Sequence, residues 1–107
     1  KHYAPKARVI LVDGNQADFA GYVNERKADG VFALCFSEDI AALEVPAVCY
    51  GGEKRPGEQA HALFDALRRL DDQNAQLVFA HCPNQDGLGL AVYNRLLRAA
   101  AFDVVRL

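Results

Sequence analysis

The sequence lacks any apolar run approaching the ~18 residues that a membrane-spanning helix needs, which removes that class of structure from the reading. It opens on no secretory signal pattern, so a cytoplasmic protein is expected. Cysteine is scarce and unpaired: Cys35, Cys49 and Cys82 are odd in number, far apart and form no Cys-x-x-Cys. Such spacing argues against a disulfide framework or a zinc site and leaves reduced thiols. Excess charge is also missing. A formal net charge of -2 does not suit a free-standing nucleic-acid binder that relies on bulk electrostatics. The basic residues are scattered and do not interleave with aromatics as on an RNA-binding strand. No metal-ligand spacing, internal repeat or low-complexity tract is present.

What is present is the composition of a globular domain. The 107 residues are 51% hydrophobic and 24% charged, enough for one domain around one ordinary core. Residues 1–7, with Pro5, read as an extended lead-in. Arg8, Val9, Ile10, Leu11 and Val12 form a buried strand stopped by Asp13-Gly14-Asn15. Residues 16–28 suit a helix carrying Phe19, Tyr22 and Val23, ended by Asp29-Gly30. Residues 31–36 give a second apolar strand. Ser37 is placed to cap a short helix to about Leu43, with Glu38 and Asp39 favoured in its first turn by the helix dipole. Residues 45–50 form a weaker third strand, and Pro46 suggests an edge. From Glu58 to Asp72, Ala60, Leu63, Phe64, Leu67 and Leu70 recur at the spacing of a buried helix face. This places Arg68, Arg69, Asp71 and Asp72 on the solvated side or end. Residues 76–80 make a fourth strand, 81–86 a loop, 87–101 a helix and 103–107 a fifth strand.

Short β-branched strands alternating with helices predict an α/β fold: a Rossmann-like three-layer domain with a mostly parallel sheet of about five strands. Ligands in this class bind at the carboxyl ends of the strands. There the chain offers Asp13-Gly14, Phe36-Ser37, Gly51-Gly52 and residues 81–87.

The junction from His81-Cys82 into Gly87-Leu88-Gly89 and the following helix invites two chemical readings. A cysteine-phosphatase loop needs an anion-holding Arg where this chain has Leu88, and Asp86 would repel the anion, so Cys82 is read as a structural thiol. A dinucleotide fingerprint needs a third glycine where Val92 stands, and no P-loop Lys is present. Gly87 and Gly89 are therefore expected to serve backbone geometry. Asn94 and Arg95 divide evenly between a solvated face and a buried or interdomain hydrogen-bonding role, for which the planar guanidinium of Arg95 is suited. Asp13 and Asp86 could pair at the strand ends. His61 reads as a surface or boundary residue.

Three segments in order carry a resemblance. Lys1-His2-Tyr3-Ala4-Pro5-Lys6-Ala7 resembles the (K/R)HYAPKA linker of the long form of L-threonylcarbamoyladenylate synthase. Residues 58–72, with Leu63-Phe64-Asp65-Ala66-Leu67-Arg68-Arg69-Leu70-Asp71, resemble a helix of its C-terminal domain. Gly87-Leu88-Gly89 through Asn94-Arg95-Leu96 to Ala99-Ala100 is similar to the GLGxAxxNRLxKAA signature closing that domain. The resemblance implies a division into residues 1–7, an interdomain linker and lid, and residues 8–107, a Rossmann-like accessory or regulatory domain. It implies an N-terminal YrdC-like catalytic domain that makes threonylcarbamoyl-AMP from threonine, bicarbonate and ATP, with magnesium, for threonylcarbamoyladenosine in tRNA. On this reading His2 and Tyr3 are lid contacts to substrate, and Gly87, Gly89, Asn94 and Arg95 are structural or interdomain signature residues. No catalytic residue, metal or cofactor is expected within the chain itself, and tRNA contact only in the parent. Two alternatives stay open: a small-ligand or nucleotide sensor whose pocket is built from Asp13-Gly14, Gly51-Gly52 and the Gly87 helix start, and a passive interaction domain.

Overall fold

The computed structural model describes residues 4–107. Within them the strands and helices alternate as β1 (Arg8–Asp13), α1 (Gln16–Asn24), β2 (Val31–Cys35), a 3-10 helix (Ser37–Ala42), β3 (Ala47–Cys49), α2 (Pro56–Asp72), β4 (Leu77–His81), α3 (Leu88–Ala99) and β5 (Val104–Arg106). The five strands form one sheet in the order β3-β2-β4-β1-β5. Every pairing is parallel: β1 with β4 from Arg8↔Leu77, β1 with β5 from Leu11↔Val104, β2 with β4 from Val31↔Leu77, and β2 with β3 from Ala33↔Ala47. The sheet is thus wholly parallel rather than mostly so.

Strand order explains the layers. The connection through α1 runs one way across the sheet, whereas those through α2 and α3 run the other way, and crossovers of one hand then lie on opposite faces. Residues alternate accordingly along the strands. Val9, Leu11, Leu34, Val48, Val78 and Ala80 face Leu63, Leu67, Leu70, Val92 and Leu96 of α2 and α3. Ile10, Val12, Val31, Ala33 and Phe79 face Phe19 and Val23 of α1.

Local chemistry sets the boundaries. Asn15 caps α1 by accepting the Asp18 N–H at 2.8 Å, the usual service of an N-cap amide. This helix stops at Asn24, short of position 28, because Arg26 and Lys27 turn back onto the Val23 and Asn24 carbonyls. Helix α2 begins at Pro56, two residues earlier than expected, since proline at a first helical position gives up only an N–H that would be unpaired anyway. Strand β3 is shorter than 45–50, but it does lie at the sheet edge. Phe36, not Ser37, holds the N-cap position of the 3-10 helix, with no side-chain cap; its N–H instead donates to Asp39.

Helices α2 and α3 end in the same backbone motif with different residues. In α2, Asn74 is left-handed (φ +58°), its N–H reaching the Asp71 carbonyl and the Ala75 N–H the Leu70 carbonyl. In α3 the Ala101 N–H reaches Arg98 and the Phe102 N–H reaches Leu97. Both are six-to-one and five-to-two closures of the Schellman type, where glycine or asparagine normally stands. Ala75 tucks into the core, whereas Ala101 (φ +51°) and Phe102 (φ +64°) are both left-handed and Phe102 is 69% exposed. A left-handed residue with a Cβ costs roughly 1–2 kcal/mol.

Candidate functional site

The parallel strands all end on one side, and β4 lies between β1 and β2, whose connections leave on the opposite face. A crevice opens at such a reversal. Here it is a cleft of about 800 Å³ over the ends of β1, β2 and β4, roofed in part by the loop after β3.

His81 occupies its floor. The sequence reading put it in a loop, but it is the last residue of β4 and almost fully buried. Its ring stacks on Phe19 at 4.2 Å and leans on Phe36 at 4.7 Å. Nδ1 lies 2.7 Å from Asp39 Oδ2, and Nε2 lies 2.7 Å from the Gly14 carbonyl. A carboxylate at Asp39 and the Gly14 carbonyl are both acceptors, an arrangement that favours the doubly protonated ring, an imidazolium, in which both nitrogens donate. Burial opposes that charge, but the hydrogen bond to Asp39, the Gly14 carbonyl and the charge of Asp39 outweigh it and raise the His81 pKa.

Asp39 stands in the first turn of the 3-10 helix, where the dipole argument placed it, but its carboxylate is buried and serves His81 as well. Its Oδ2 also accepts the Phe36 N–H at 2.9 Å. Tyr50, wholly buried at the end of β3, donates its hydroxyl to the His81 carbonyl at 2.6 Å. Burial pushes the Tyr50 pKa far up, which keeps the hydroxyl protonated as a donor. These contacts join the ends of four strands through partners 31 to 67 residues apart in sequence, two of them backbone carbonyls.

The loop after β3 is clamped separately. Gln59 Nε2 donates to the carbonyls of Gly52 (2.7 Å) and Glu53 (3.0 Å), Glu58 accepts the Gly52 N–H, and Glu38 accepts the Glu53 N–H. Among the described residues, Asp39 Oδ1 and Gln59 Oε1 are buried without a hydrogen-bond partner. Asp13, Glu53 and Asp86 line the cleft against Lys54, so its charge disfavours an anionic ligand. Asp13 and Asp86 share this lining but do not hydrogen-bond to each other.

Cys82 sits in the same lining, and burial followed by the negative charge of Asp13 pushes its thiol up to about 12. A thiol so held stays protonated and is a poor nucleophile. Gly87 begins α3 with φ +56°, and a Cβ on Gly89 would run into the Asn84 carbonyl oxygen. Both glycines thus have a backbone reason for being there. Asn94 and Arg95 lie on the exposed side of α3, and among the described residues neither makes a side-chain hydrogen bond or ion pair.

The opposite end of the sheet receives the lead-in. Asp71, expected on the solvated end of α2, is buried, and both its carboxylate oxygens accept the Lys6 N–H (3.1 and 3.3 Å). Arg8 pairs with Asp103 at 2.8 Å. His2 and Tyr3 lie outside the described residues. The sequence reading missed His81, Asp39, Tyr50 and Gln59. The one available signal was a histidine ending a run of buried residues, where an unpaired ring would be costly.

The model of the family described as "Threonylcarbamoyl-AMP synthase, C-terminal domain" matches residues 1–101. Threonylcarbamoyl-AMP synthase of Pyrococcus abyssi is 32% identical over 99% of this chain and 32% of its own length. The chain thus spans about a third of that relative. The solved structure of P. abyssi Sua5 with L-threonine is 28% identical, with a TM-score of 0.75 over 100% of this chain and 32% of that one. The separately solved C-terminal Sua5 domain of Pyrococcus horikoshii is 30% identical, with a TM-score of 0.69 over 97% of this chain and 100% of that one. No helix among the described residues is long and apolar enough to cross a membrane.

Proposed function

Because this chain belongs to the family of threonylcarbamoyl-AMP synthase C-terminal domains, we propose that it is the accessory domain of a cytoplasmic two-domain synthase, coupled to a preceding YrdC-like catalytic domain. Threonine, bicarbonate and ATP with magnesium are handled by that domain, which supplies threonylcarbamoyl-AMP for tRNA modification, and any tRNA contact belongs to the parent enzyme only. Residues 1–7 are the linker, with His2 and Tyr3 reaching the substrate as a lid that excludes water.

The observation that carries the reading is the match over essentially the whole chain to one third of a synthase. The site geometry supports it. The cleft has an inert thiol and an excess of carboxylates, and its buried polar side chains are spent on tying strand ends together. Such a domain is suited to hold and present a neighbour rather than to transform a nucleotide.

The test is removal of residues 8–107 from the full-length enzyme, with threonylcarbamoyl-AMP formation as the readout. A changed rate or threonine dependence is expected, and unaltered kinetics would discard the accessory role. His2→Ala and Tyr3→Ala in the full-length enzyme should lower ATP turnover while leaving the unfolding midpoint in place. The sensor alternative keeps one specific support: the two unpartnered buried acceptors beside the cleft. Clear heat of binding between this chain and threonine, ATP or AMP would promote it.

A further inference from the structure

The two helix ends provide an internal control. After α2 the left-handed position holds Asn74, a residue that tolerates it, and the next side chain, Ala75, is buried. After α3 the same hydrogen-bonded closure is made by Ala101 and Phe102, both left-handed and neither glycine. A large aromatic in this conformation is an outlier among L-residues. The domain covers it little in return: Phe102 is 69% exposed, the most exposed large hydrophobic among the described residues. A strained backbone that presents an apolar ring to solvent points to a contact outside the domain.

Position says with what. Ala101 and Asp103, the neighbours of Phe102, share with the lead-in a shallow groove that Phe102 itself does not line: Pro5, Ala7 and Val9 on one bank, Ala99, Ala100 and Ala101 on the other, with the Arg8–Asp103 ion pair in the same lining. The lead-in is pinned beside it by Asp71 on the Lys6 N–H and by the Arg8–Asp103 pair. The chain spans a third of its relatives, and its family model is that of a C-terminal domain. On the reading proposed above, the catalytic domain is tethered through residues 4–7, at the end of the sheet where Phe102 stands.

We propose that Phe102, with the groove between residues 5–9 and 99–101, is the surface on which the preceding catalytic domain of the same chain docks. This rests on the reading that such a domain precedes residue 1. The polar cleft at the carboxyl ends of the strands then faces away from the docked domain.

The experiment is photo-crosslinking in the full-length protein, with p-benzoylphenylalanine in place of Phe102 and, as a control, in place of Ile40. Ile40 is 49% exposed on the 3-10 helix at the far end of β2. Several-fold more cross-linking from position 102 than from position 40, to peptides upstream of residue 1 and without doubling of mass, is expected. Cross-links confined to residues 4–107, cross-links that double the mass, or equal yields from both positions overturn the proposal. Hydroxyl-radical footprinting of the unaltered full-length chain needs no variant. Phe102 should be labelled several-fold less than its exposure in the domain implies, whereas Ile40 should not. Full labelling of Phe102 overturns the proposal too. Neither measurement reads catalysis. A docked domain whose removal leaves the rate unchanged would sink the accessory role and leave the docking surface standing.

Discussion

At the carboxyl ends of the strands, His81, Asp39 and Tyr50 place a buried charge pair and a buried hydroxyl in mutual hydrogen bonds, and the cleft above them rests on a rigid floor. At the amino ends, the lead-in is held by a backbone N–H on Asp71, and α3 closes through two strained residues that expose a ring. One end turns its polar groups inward and pairs all but two of them, Asp39 Oδ1 and Gln59 Oε1, within the domain. The other leaves an apolar group outward and unsatisfied. The difference teaches where each end finds its partners: the first within the domain, the second beyond it.

The contrast breaks most visibly at Asp39. Asp39→Ala strands the imidazole without its counter-charge and should cost about 3–5 kcal/mol, the usual penalty for halving a buried ion pair. Urea unfolding measures it, and a loss no larger than the ~0.5 kcal/mol of an ordinary surface substitution would show that the pair does not hold the strand ends. Next comes Gly89→Ala. Its Cβ meets backbone at Asn84, which cannot rotate away, so a loss of about 1–3 kcal/mol is expected from overpacking. Thermal unfolding should show it, and an unchanged midpoint would mean that the 84–86 loop yields freely.

The pH dependence sharpens the same comparison. The His81 pKa is raised above that of the unfolded chain, where histidine titrates near ~6.5. Its contribution is fully present below that value and is lost as pH rises through the folded-state value, with a slope of at most ~1.4 kcal/mol per pH unit. Unfolding free energies between pH ~6 and ~9 should fall in the wild type and stay flatter in Asp39→Asn. Parallel profiles would remove His81 as the group responsible. The smallest effect belongs to the other end. Ala101→Gly should stabilise the domain by about 1 kcal/mol by relieving a left-handed Cβ, whereas Asn74→Gly should change little. Equal responses at the two caps would erase the distinction between them.

Much of the fold was legible because it is written in short-range pattern. Apolar β-branched runs marked β1, β2 and β4, and the spacing from Ala60 to Leu70 marked α2. Boundaries slipped where a few hydrogen bonds decide: Arg26 turning back to Val23, Pro56 opening a helix, Pro46 preceding a strand of three residues. The site was less legible for a different reason. Asp39 and His81 are 42 residues apart, and only the placement of β4 between β1 and β2 brings them together. A carboxylate in a first helical turn has a sufficient local explanation in the helix dipole, so nothing in the sequence pressed for another. Asp71 misled in the same way, its partner being the Lys6 backbone and not solvent.

The strand order also sets a timetable. β1 is formed early in the chain, yet its two neighbours are β4 and β5, paired through Arg8↔Leu77 and Leu11↔Val104. Only β2 and β3 are partners that follow each other closely. Closing such distant pairs is slow, because the loop entropy is lost before the contacts form. The strand nearest the lead-in therefore has one edge closed only by β4 and the other only by β5, so the attachment point rests on the most distant pairings in the domain.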